Sequence, residues 1–385
     1  MSLLPFDHQP RTRLIFGNGT LSRLGELSRE IGGTRVLVVS DPGLVKAGYV
    51  ERASVYLREA GLSVEVFGSV HENPSTADVD DCVAVAKEFG ADLLIGLGGG
   101  SSMDTAKGCN FILTNGGRMA DYWGTGKATK PMLPMIAVPT TAGTGSECQS
   151  YALISDAVTH AKMACGDVKA AAKVAILDPE LTVSQPHRVT VCTGIDAISH
   201  ALETAVTNKR SAFSMLYSRE AFRLCHSGFG RVLRDSSDIE ARGMMLLGAA
   251  YAGIAIEGSM LGAAHSAANP LTAKFGVVHG EAVGVMLPHV IRFNSALGEI
   301  SAIYESLFDG DLADRIFELL WEARMPLGIS GYGATADDIP ALSQMAAQQW
   351  TAQFNPRPIA QADFEQLYTA ALNSGLRPQS GTRDY

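Results

Sequence analysis

At 385 residues the chain is longer than the about 250 to 300 residues that one hydrophobic core usually reaches, so two domains are expected. With 46% hydrophobic and 18% charged residues, its composition is that of a globular protein and excludes the disordered and fibrous classes. The net charge of -9, with no block of Lys and Arg, argues against nucleic acid or a membrane as partner and leaves small molecules.

Cysteine use and apolar runs indicate a cytoplasmic protein. The six cysteines show no CxxC spacing, which favours reduced, buried thiols. Residues 1–8 lack a basic region followed by an apolar segment, so no secretory signal is predicted. The longest apolar run, residues 244–256, is shorter than the ~18 residues that a membrane span needs.

The first half alternates strand and helix patterns. Apolar β-branched runs predict strands, and longer amphipathic stretches predict helices. The predicted order is strand 35–40, helix 47–59, strand 63–66, helix 76–89 and strand 92–97. This βαβαβ order predicts a parallel sheet in an α/β domain.

A glycine-rich turn follows the third predicted strand, in the sequence GLGGGSSMDTAK of residues 96–107. Backbone N–H groups at a glycine turn and the positive end of a helix both attract an anion, so this turn is a candidate phosphate site. The alternative is a plain tight turn into a helix that opens at Ser101, Ser102 and Asp104.

A second candidate loop follows the strand predicted at residues 135–138, in the sequence PTTAGTGSE of residues 139–147. Its hydroxyls could bond a diphosphate or ribose, or they could only cap a helix. Asp41, after the first predicted strand, could accept hydrogen bonds from ribose hydroxyls and would repel a 2′-phosphate. Asp41 could equally serve only to open the turn before Pro42.

The strand signal fades at residues 177–186, and the pattern beyond Pro186 is helical. We therefore predict two domains, an NAD-binding α/β domain at 1–185 and an all-α domain at 186–385. Within the second, helices are predicted at 195–206, 212–225, 239–256 and 312–322.

The second half carries a candidate metal site. Asp196 and His200 are four residues apart and share one helix face. His265 and His279 lie among small or apolar residues and need buried partners, for which a metal ion or a backbone carbonyl would serve. One carboxylate and three imidazoles suit Fe(II) or Zn(II). With an open position, such an ion could polarise an alcohol or carbonyl oxygen.

These motifs resemble those of the iron-containing alcohol dehydrogenases, also called group III, over nearly the whole chain. The matching segments are residues 16–19 (FGNG), 98–104 (GGGSSMD), 139–147, 194–200 (GIDAISH), and His265 through His279 and Gly280. Their number and order make the resemblance specific.

The resemblance implies an α/β dinucleotide-binding domain and an all-α metal-binding domain, an architecture like that of dehydroquinate synthase, with the active site between them. It implies Fe(II), or else Zn(II), held by Asp196, His200, His265 and His279, and NAD as the second cofactor. Implied NAD-binding residues are Gly98, Gly99, Ser101 and Asp104 at the pyrophosphate, Thr140, Thr141 and Thr144 nearby, Lys162 at the nicotinamide side, and Asp41 for NAD preference. A homodimer or larger homo-oligomer is also implied.

One position departs from the family pattern. Many members have a second histidine four residues after the third metal ligand, in the pattern HxxxHP, where this chain has Asn269 before Pro270. An amide cannot relay a proton, although it can hydrogen-bond a substrate. We therefore name Asn269 and Lys162 as candidate catalytic residues and expect the alcohol proton to leave through water, a ribose hydroxyl or solvent ordered by Asn269.

The predicted function is a metal-dependent, NAD-linked alcohol dehydrogenase or aldehyde reductase that acts on a small primary alcohol or diol. Three alternatives stay open. One is a metal-free maleylacetate-type reductase, against which the intact ligand set counts. Another is a dehydroquinate-synthase-like lyase, which would need a basic cluster for its phosphorylated substrate. The third is a binding protein with a structural metal.

Overall fold

The computed structural model describes residues 6–374, and all nine of its strands lie in the first half of the chain. The strands are β1 (Arg13–Phe16), β2 (Arg35–Val39), β3 (Ser63–Phe67), β4 (Leu93–Gly98), β5 (Gly124–Thr125), β6 (Met135–Pro139), β7 (Tyr151–Ser155), β8 (Lys162–Gly166) and β9 (Val174–Leu177). Six of them form a parallel sheet in the order β1-β9-β6-β4-β2-β3, while β5, β8 and β7 form a small second sheet. The inner strands β4, β6 and β9 are buried along their whole length, as a parallel sheet covered on both faces requires.

Five helices accompany the large sheet. They are α1 (Leu24–Glu30), α2 (Pro42–Lys46), α3 (Tyr49–Glu59), α4 (Thr76–Phe89) and α5 (Gly100–Asn115). The predicted βαβαβ order is confirmed, with one correction. The helix predicted at 47–59 is α3, which begins at Tyr49 after the left-handed Gly48 (φ 81°), and the short helix α2 before it was not predicted.

The described part of the second half is helical, as predicted. Its helices are α6 (His187–Val206), α7 (Ala212–Arg234), α8 (Ile239–Ser259), α9 (Ala263–Phe275), α10 (His279–Asn294), α11 (Gly298–Leu307), α12 (Leu312–Glu322), α13 (Ile339–Ala347) and α14 (Gln361–Ser374). Short 3-10 turns connect several of them, including Trp350–Phe354. One large apolar cluster fills the space between these helices.

Helix α8 is the one helix within residues 6–374 that is long and apolar enough to cross a membrane. Of its most apolar window, 67% is buried inside the protein, between α6 and α7 on one side and the α/β half on the other. Its apolar character is therefore explained by packing in the core.

The two halves of the chain pack closely where the loop after β6 meets α8. A Cβ atom on Gly253 would lie 2.4 Å from the carbonyl oxygen of Gly145, so only a glycine fits there. This contact sets the threonine-rich loop directly against the helical half. The predicted boundary between residues 185 and 186 lies in the connection between the 3-10 turn Pro179–Thr182 and α6, and it stays a prediction.

Candidate active site

Helix α6 supplies two of the predicted metal ligands. It is buried along almost all of its second half, and the four-residue spacing sets Asp196 and His200 on one face. The distance from His200 Nε2 to Asp196 Oδ1 is 3.5 Å. The other ring nitrogen of His200 lies 3.3 Å from the carbonyl oxygen of Gly143, which can only accept a hydrogen bond. This contact leaves Nε2 of His200 as the nitrogen that faces Asp196.

His265 comes from α9 and is oriented by a carboxylate on α6. Glu203 Oε2 lies 2.5 Å from His265 Nδ1, and Glu203 Oε1 accepts a hydrogen bond of 2.7 Å from the backbone N–H of Ala264. His265 Nε2 is thereby turned to Asp196, 3.4 Å from its Oδ1. A carboxylate behind a ligating imidazole is a common arrangement at metal sites.

His279, the first residue of α10, completes the group. One ligand atom each from Asp196, His265 and His279 lies within 4.8 Å of the others. The ring of His265 contacts both of the other imidazoles, with centroid distances of 4.8 Å to His200 and 5.3 Å to His279. The structure therefore brings the four predicted ligands together, although His200 stands outside the tightest group of three.

Two buried atoms in this cluster fit a metal ion. Asp196 Oδ1 and His265 Nε2 are both shielded from solvent; they face each other at 3.4 Å, and neither has a hydrogen bond of good geometry within residues 6–374. Burying such atoms without a partner is costly, and a divalent cation would provide one. The donor set of one carboxylate oxygen and imidazole nitrogens suits Fe(II) or Zn(II).

The pKa values of the cluster follow from burial and from the mutual charges. Burial acts to raise the pKa of Asp196, but the neighbouring imidazoles outweigh it and bring that pKa well below its ordinary value. Burial lowers the pKa of His279 to about 3. For His265 the charges of Glu203 and Asp196 outweigh burial and raise the pKa to about 9. These charges favour a protonated His265, and a bound metal would take the place of that proton.

The two candidate cofactor loops lie side by side, because β4 and β6 are neighbours in the sheet. A Cβ atom on Gly100 would lie 2.9 Å from the side chain of Thr144, and one on Gly99 would lie 3.4 Å from that of Thr141. Gly98 has a φ of 149°, which disfavours any other residue. The loop 139–147 ends in a 3-10 turn and not in the capped helix that was one alternative. Both loops lie at the carboxyl ends of parallel strands, where ligands bind in open α/β folds.

Three other predicted NAD-binding residues have defined surroundings. Ser101 lies half-buried in the first turn of α5. Asp41 caps α2 by accepting a hydrogen bond of 3.1 Å from the backbone N–H of Leu44, which is the turn-opening role considered as the alternative. Asp104 is buried and accepts a 2.7 Å hydrogen bond from Ser146 Oγ. Their NAD-binding roles stay predictions.

Comparison with protein families identifies the chain. The model described as "Iron-containing alcohol dehydrogenase" matches residues 10–179, and that described as "Fe-containing alcohol dehydrogenase family, C-terminal" matches residues 190–372. The chain belongs to the iron-containing alcohol dehydrogenase family. The predicted family, the two-part fold and the enzyme class, an oxidoreductase acting on CH–OH groups, are thereby confirmed.

Individual relatives cover nearly all of this dehydrogenase. The NAD-dependent methanol dehydrogenase of Bacillus methanolicus is 34% identical over 93% of this chain and 97% of its own length. The 1,3-propanediol dehydrogenase of Klebsiella pneumoniae is 30% identical over 97% of this chain and 100% of its own. A solved structure of a 1,3-propanediol oxidoreductase superposes with a TM-score of 0.92 at 30% identity, over 96% of this chain and 100% of that one.

A buried lysine, Lys107, to which the sequence analysis assigned no role, supports the two candidate cofactor loops of the dehydrogenase. Lys107 Nζ donates hydrogen bonds to the backbone oxygens of Ser146, at 2.6 Å, and Tyr151, at 3.0 Å, and to Ser146 Oγ at 2.7 Å. Asp104 lies 3.9 Å from the same ammonium group. Lys107 therefore ties α5 to the threonine-rich loop. A lysine three residues after an aspartate, in a helix with no other charged residue, was the available sequence signal.

The two candidate catalytic residues lie near the ligand cluster. The side chain of Lys162 is exposed at the surface. Partial desolvation by the surrounding protein lowers its pKa, whereas the charges of Asp104 and Asp196 act to raise it. Asn269 follows His265 by one turn of α9 and is half-buried. Lys162 thus lies within electrostatic range of both the ligand cluster and the carboxylate of α5.

Glu203 offers a first test of the metal centre in the dehydrogenase. In Glu203→Gln, the amide oxygen can still accept a hydrogen bond from His265 Nδ1. The NH₂ group then faces the backbone N–H of Ala264, which is also a donor, and the negative charge is lost. We expect metal affinity to fall about 10- to 100-fold, the usual cost of losing an outer-shell partner. Competition with a metal chelator measures the dissociation constant.

The matched control is Glu257→Gln. Glu257 also accepts hydrogen bonds from a backbone N–H and a hydroxyl, both of Ser150, but it is not a neighbour of His265. This variant should keep the metal affinity of the parent enzyme. Equal metal affinity in Glu203→Gln and the parent would show that Glu203 does not orient the ligand.

Proposed function

We propose that this dehydrogenase transfers a hydride between a small primary alcohol or diol and NAD, and runs the reverse reduction of the aldehyde. The observation that carries the proposal is the convergence of Asp196 Oδ1 and His265 Nε2, both buried and without hydrogen bonds, beside His200 and His279. A divalent ion held by these residues would supply a Lewis acid that favours the alkoxide form of the alcohol.

The protein's own contribution is to fix the ligands and the cofactor. Glu203 and the carbonyl oxygen of Gly143 hold the rings of His265 and His200 in orientations that leave the inner nitrogens free. The glycine turn and the adjacent threonines offer N–H and hydroxyl groups for a diphosphate. Asp41 at the end of β2 would disfavour a 2′-phosphate, which supports NAD as the preferred cofactor. Iron and NAD agree with the family's description and with the NAD-dependent methanol dehydrogenase among its relatives.

Proton transfer in this enzyme differs from a histidine relay. The amide of Asn269 is neither acidic nor basic near neutral pH, so it can order solvent or substrate but cannot act as a general base. We propose that the alcohol proton leaves to water or to a ribose hydroxyl. Lys162 contributes positive charge at the nicotinamide side of the active site.

The metal-free alternative is less well supported. Without a metal, Asp196 Oδ1 and His265 Nε2 would face each other at 3.4 Å, whereas a divalent ion would satisfy both buried atoms. We further propose a cytoplasmic location, since all six cysteines are free and buried. A homodimer or larger homo-oligomer stays a prediction.

The decisive experiment is anaerobic purification, metal analysis and an assay of NAD reduction with a panel of primary alcohols and diols. We expect about one Fe or Zn per chain, loss of activity on chelation and its return on adding Fe(II) or Zn(II). An enzyme that holds neither metal, and that no metal activates on any alcohol or aldehyde, would refute the proposed function.

A further inference from the structure

The side chain of Asn269 is held by a glutamine from a distant part of the chain. Asn269 Nδ2 donates a hydrogen bond of 2.9 Å to Gln349 Oε1, and Gln349 Nε2 donates one of 3.4 Å to the backbone oxygen of Met345. Both side chains are half-buried, so they lie where solvent or a small molecule can reach them. Neither amide titrates, so this pair cannot relay protons.

The backbone oxygen of Met345 determines which way both amides face. A carbonyl oxygen only accepts, so Gln349 must point its NH₂ group at Met345 and its oxygen at Asn269. Asn269 must then direct its own NH₂ group to Gln349. The carbonyl oxygen Oδ1 of Asn269 is therefore the atom left to bind another group, and it is an acceptor.

The segment that carries Gln349 is fixed against α9 by several contacts. Ser266 Oγ and Thr351 Oγ1 lie 2.7 Å apart, and Asn355 Oδ1 accepts a hydrogen bond from the backbone N–H of Ala263. On its other side, Trp350 stacks on Tyr151 of the α/β half, with ring centroids 6.5 Å apart. The segment 349–355, which begins with Gln349, therefore contacts both halves of the enzyme.

We propose that Gln349 is a positioning residue that selects substrates with a second hydroxyl group. It does so by holding Asn269 Oδ1 free to accept a hydrogen bond from that hydroxyl. Asn269 follows the candidate ligand His265 by one turn of α9, so the two side chains leave the same face of that helix. The inference rests on the proposed function and narrows it to alcohols that carry a hydrogen-bond donor a few carbons from the reacting carbinol.

The test compares two substrates that differ at the second oxygen. Propane-1,3-diol offers a hydroxyl donor there, whereas 3-methoxypropan-1-ol offers only an ether acceptor. The measured quantity is the ratio of kcat/KM for the diol to kcat/KM for the ether, determined for each variant with NAD and the metal that restores most activity. Because both values come from the same protein, losses in folding or metal content cancel in the ratio.

Three substitutions change the partner of Asn269 in different ways. Gln349→Met offers no hydrogen bond and should lower the ratio about fivefold, mainly through the KM of the diol, as the loss of one neutral hydrogen bond predicts. Gln349→Glu still accepts from Asn269 Nδ2 and should keep the parent ratio. The lysine in Gln349→Lys can only donate, so the amide of Asn269 should turn by about 180° and accept from it with Oδ1. The NH₂ group of Asn269 would then face the substrate, which should reverse the preference towards the ether.

Gln353→Met is the matched control. Gln353 belongs to the same segment, and its side chain donates to the backbone oxygen of Trp350 and not to Asn269. This variant should keep the parent ratio. An unchanged ratio in both Gln349→Met and Gln349→Lys would overturn the inference while leaving the proposed function intact. If the parent enzyme itself shows no metal-dependent alcohol oxidation, the proposed function fails first.

Discussion

Replacing Asp196 with asparagine should leave the enzyme without tightly bound metal and reduce kcat/KM for its best alcohol about 10³-fold or more. Asp196 Oδ1 lies 3.5 Å from His200 Nε2 and 3.4 Å from His265 Nε2, so it is the atom around which the imidazoles are arranged. An asparagine oxygen has no net charge, and its NH₂ group would donate to an imidazole nitrogen that a metal needs. Losing the several kcal/mol that a Lewis acid contributes corresponds to a change of this size. Metal analysis and steady-state kinetics measure both effects.

Asp178→Asn is the control for this substitution. Asp178 is also a fully buried aspartate, but it accepts hydrogen bonds from the backbone N–H groups of Gly19, Leu21 and Glu180 in the α/β half. Its variant should lose stability and keep its metal. Full metal content and activity in Asp196→Asn would exclude this carboxylate as a ligand.

The sequence predicted the candidate ligands but not the groups that orient them. Asp196 and His200 are four residues apart, so helical geometry alone links them. Glu203 follows His200 on the same helix, yet its role depends on His265, which reaches it from 62 residues further along the chain. The Gly143 carbonyl is a backbone atom, and no side-chain pattern reveals it. Contacts between distant segments are the part of a site that local patterns do not contain.

The same limit applies to the strands. The strands β2, β3, β4 and β6 were predicted because each carries apolar or β-branched residues next to a helical pattern or a glycine turn. The sequence analysis did not find β1, β5, β7, β8 or β9. The strand β1 pairs only with β9, about 160 residues away, and lies at the edge of the sheet. The four residues of β1 form a strand because they pair with this distant partner, and the local sequence does not reveal that pairing.

Asn269 shows why a departure from the family pattern could be noticed in the sequence but not interpreted from it. Asn269 stands out because it replaces an expected histidine. Its meaning depends on Gln349, which lies in an irregular segment 80 residues away, and on the backbone oxygen that orients Gln349. Under our proposal, this position recognises a substrate atom through Asn269 Oδ1 and does not accept the alcohol proton.

Gly280 should be as sensitive to substitution as a candidate ligand, although it has no side chain to offer a metal. A Cβ atom at this position would lie 2.0 Å from the backbone oxygen of Cys192. Backbone atoms inside a packed helix cannot move aside as a flexible side chain can, so Gly280→Ala must push α10 away from α6. His279 is the preceding residue and would move with α10, away from Asp196.

We therefore expect Gly280→Ala to destabilise the protein by about 2 to 3 kcal/mol, as overpacking of a core does, and to weaken metal binding in addition. Thermal unfolding and a chelator competition measure the two effects separately. Gly298→Ala is the matched control, since a Cβ atom on Gly298, the first residue of α11, would meet nothing within 4 Å. It should be neutral or slightly stabilising. If Gly280→Ala lost stability yet bound metal as tightly as the parent enzyme, the close approach of α10 to α6 would serve packing alone and His279 would not depend on it.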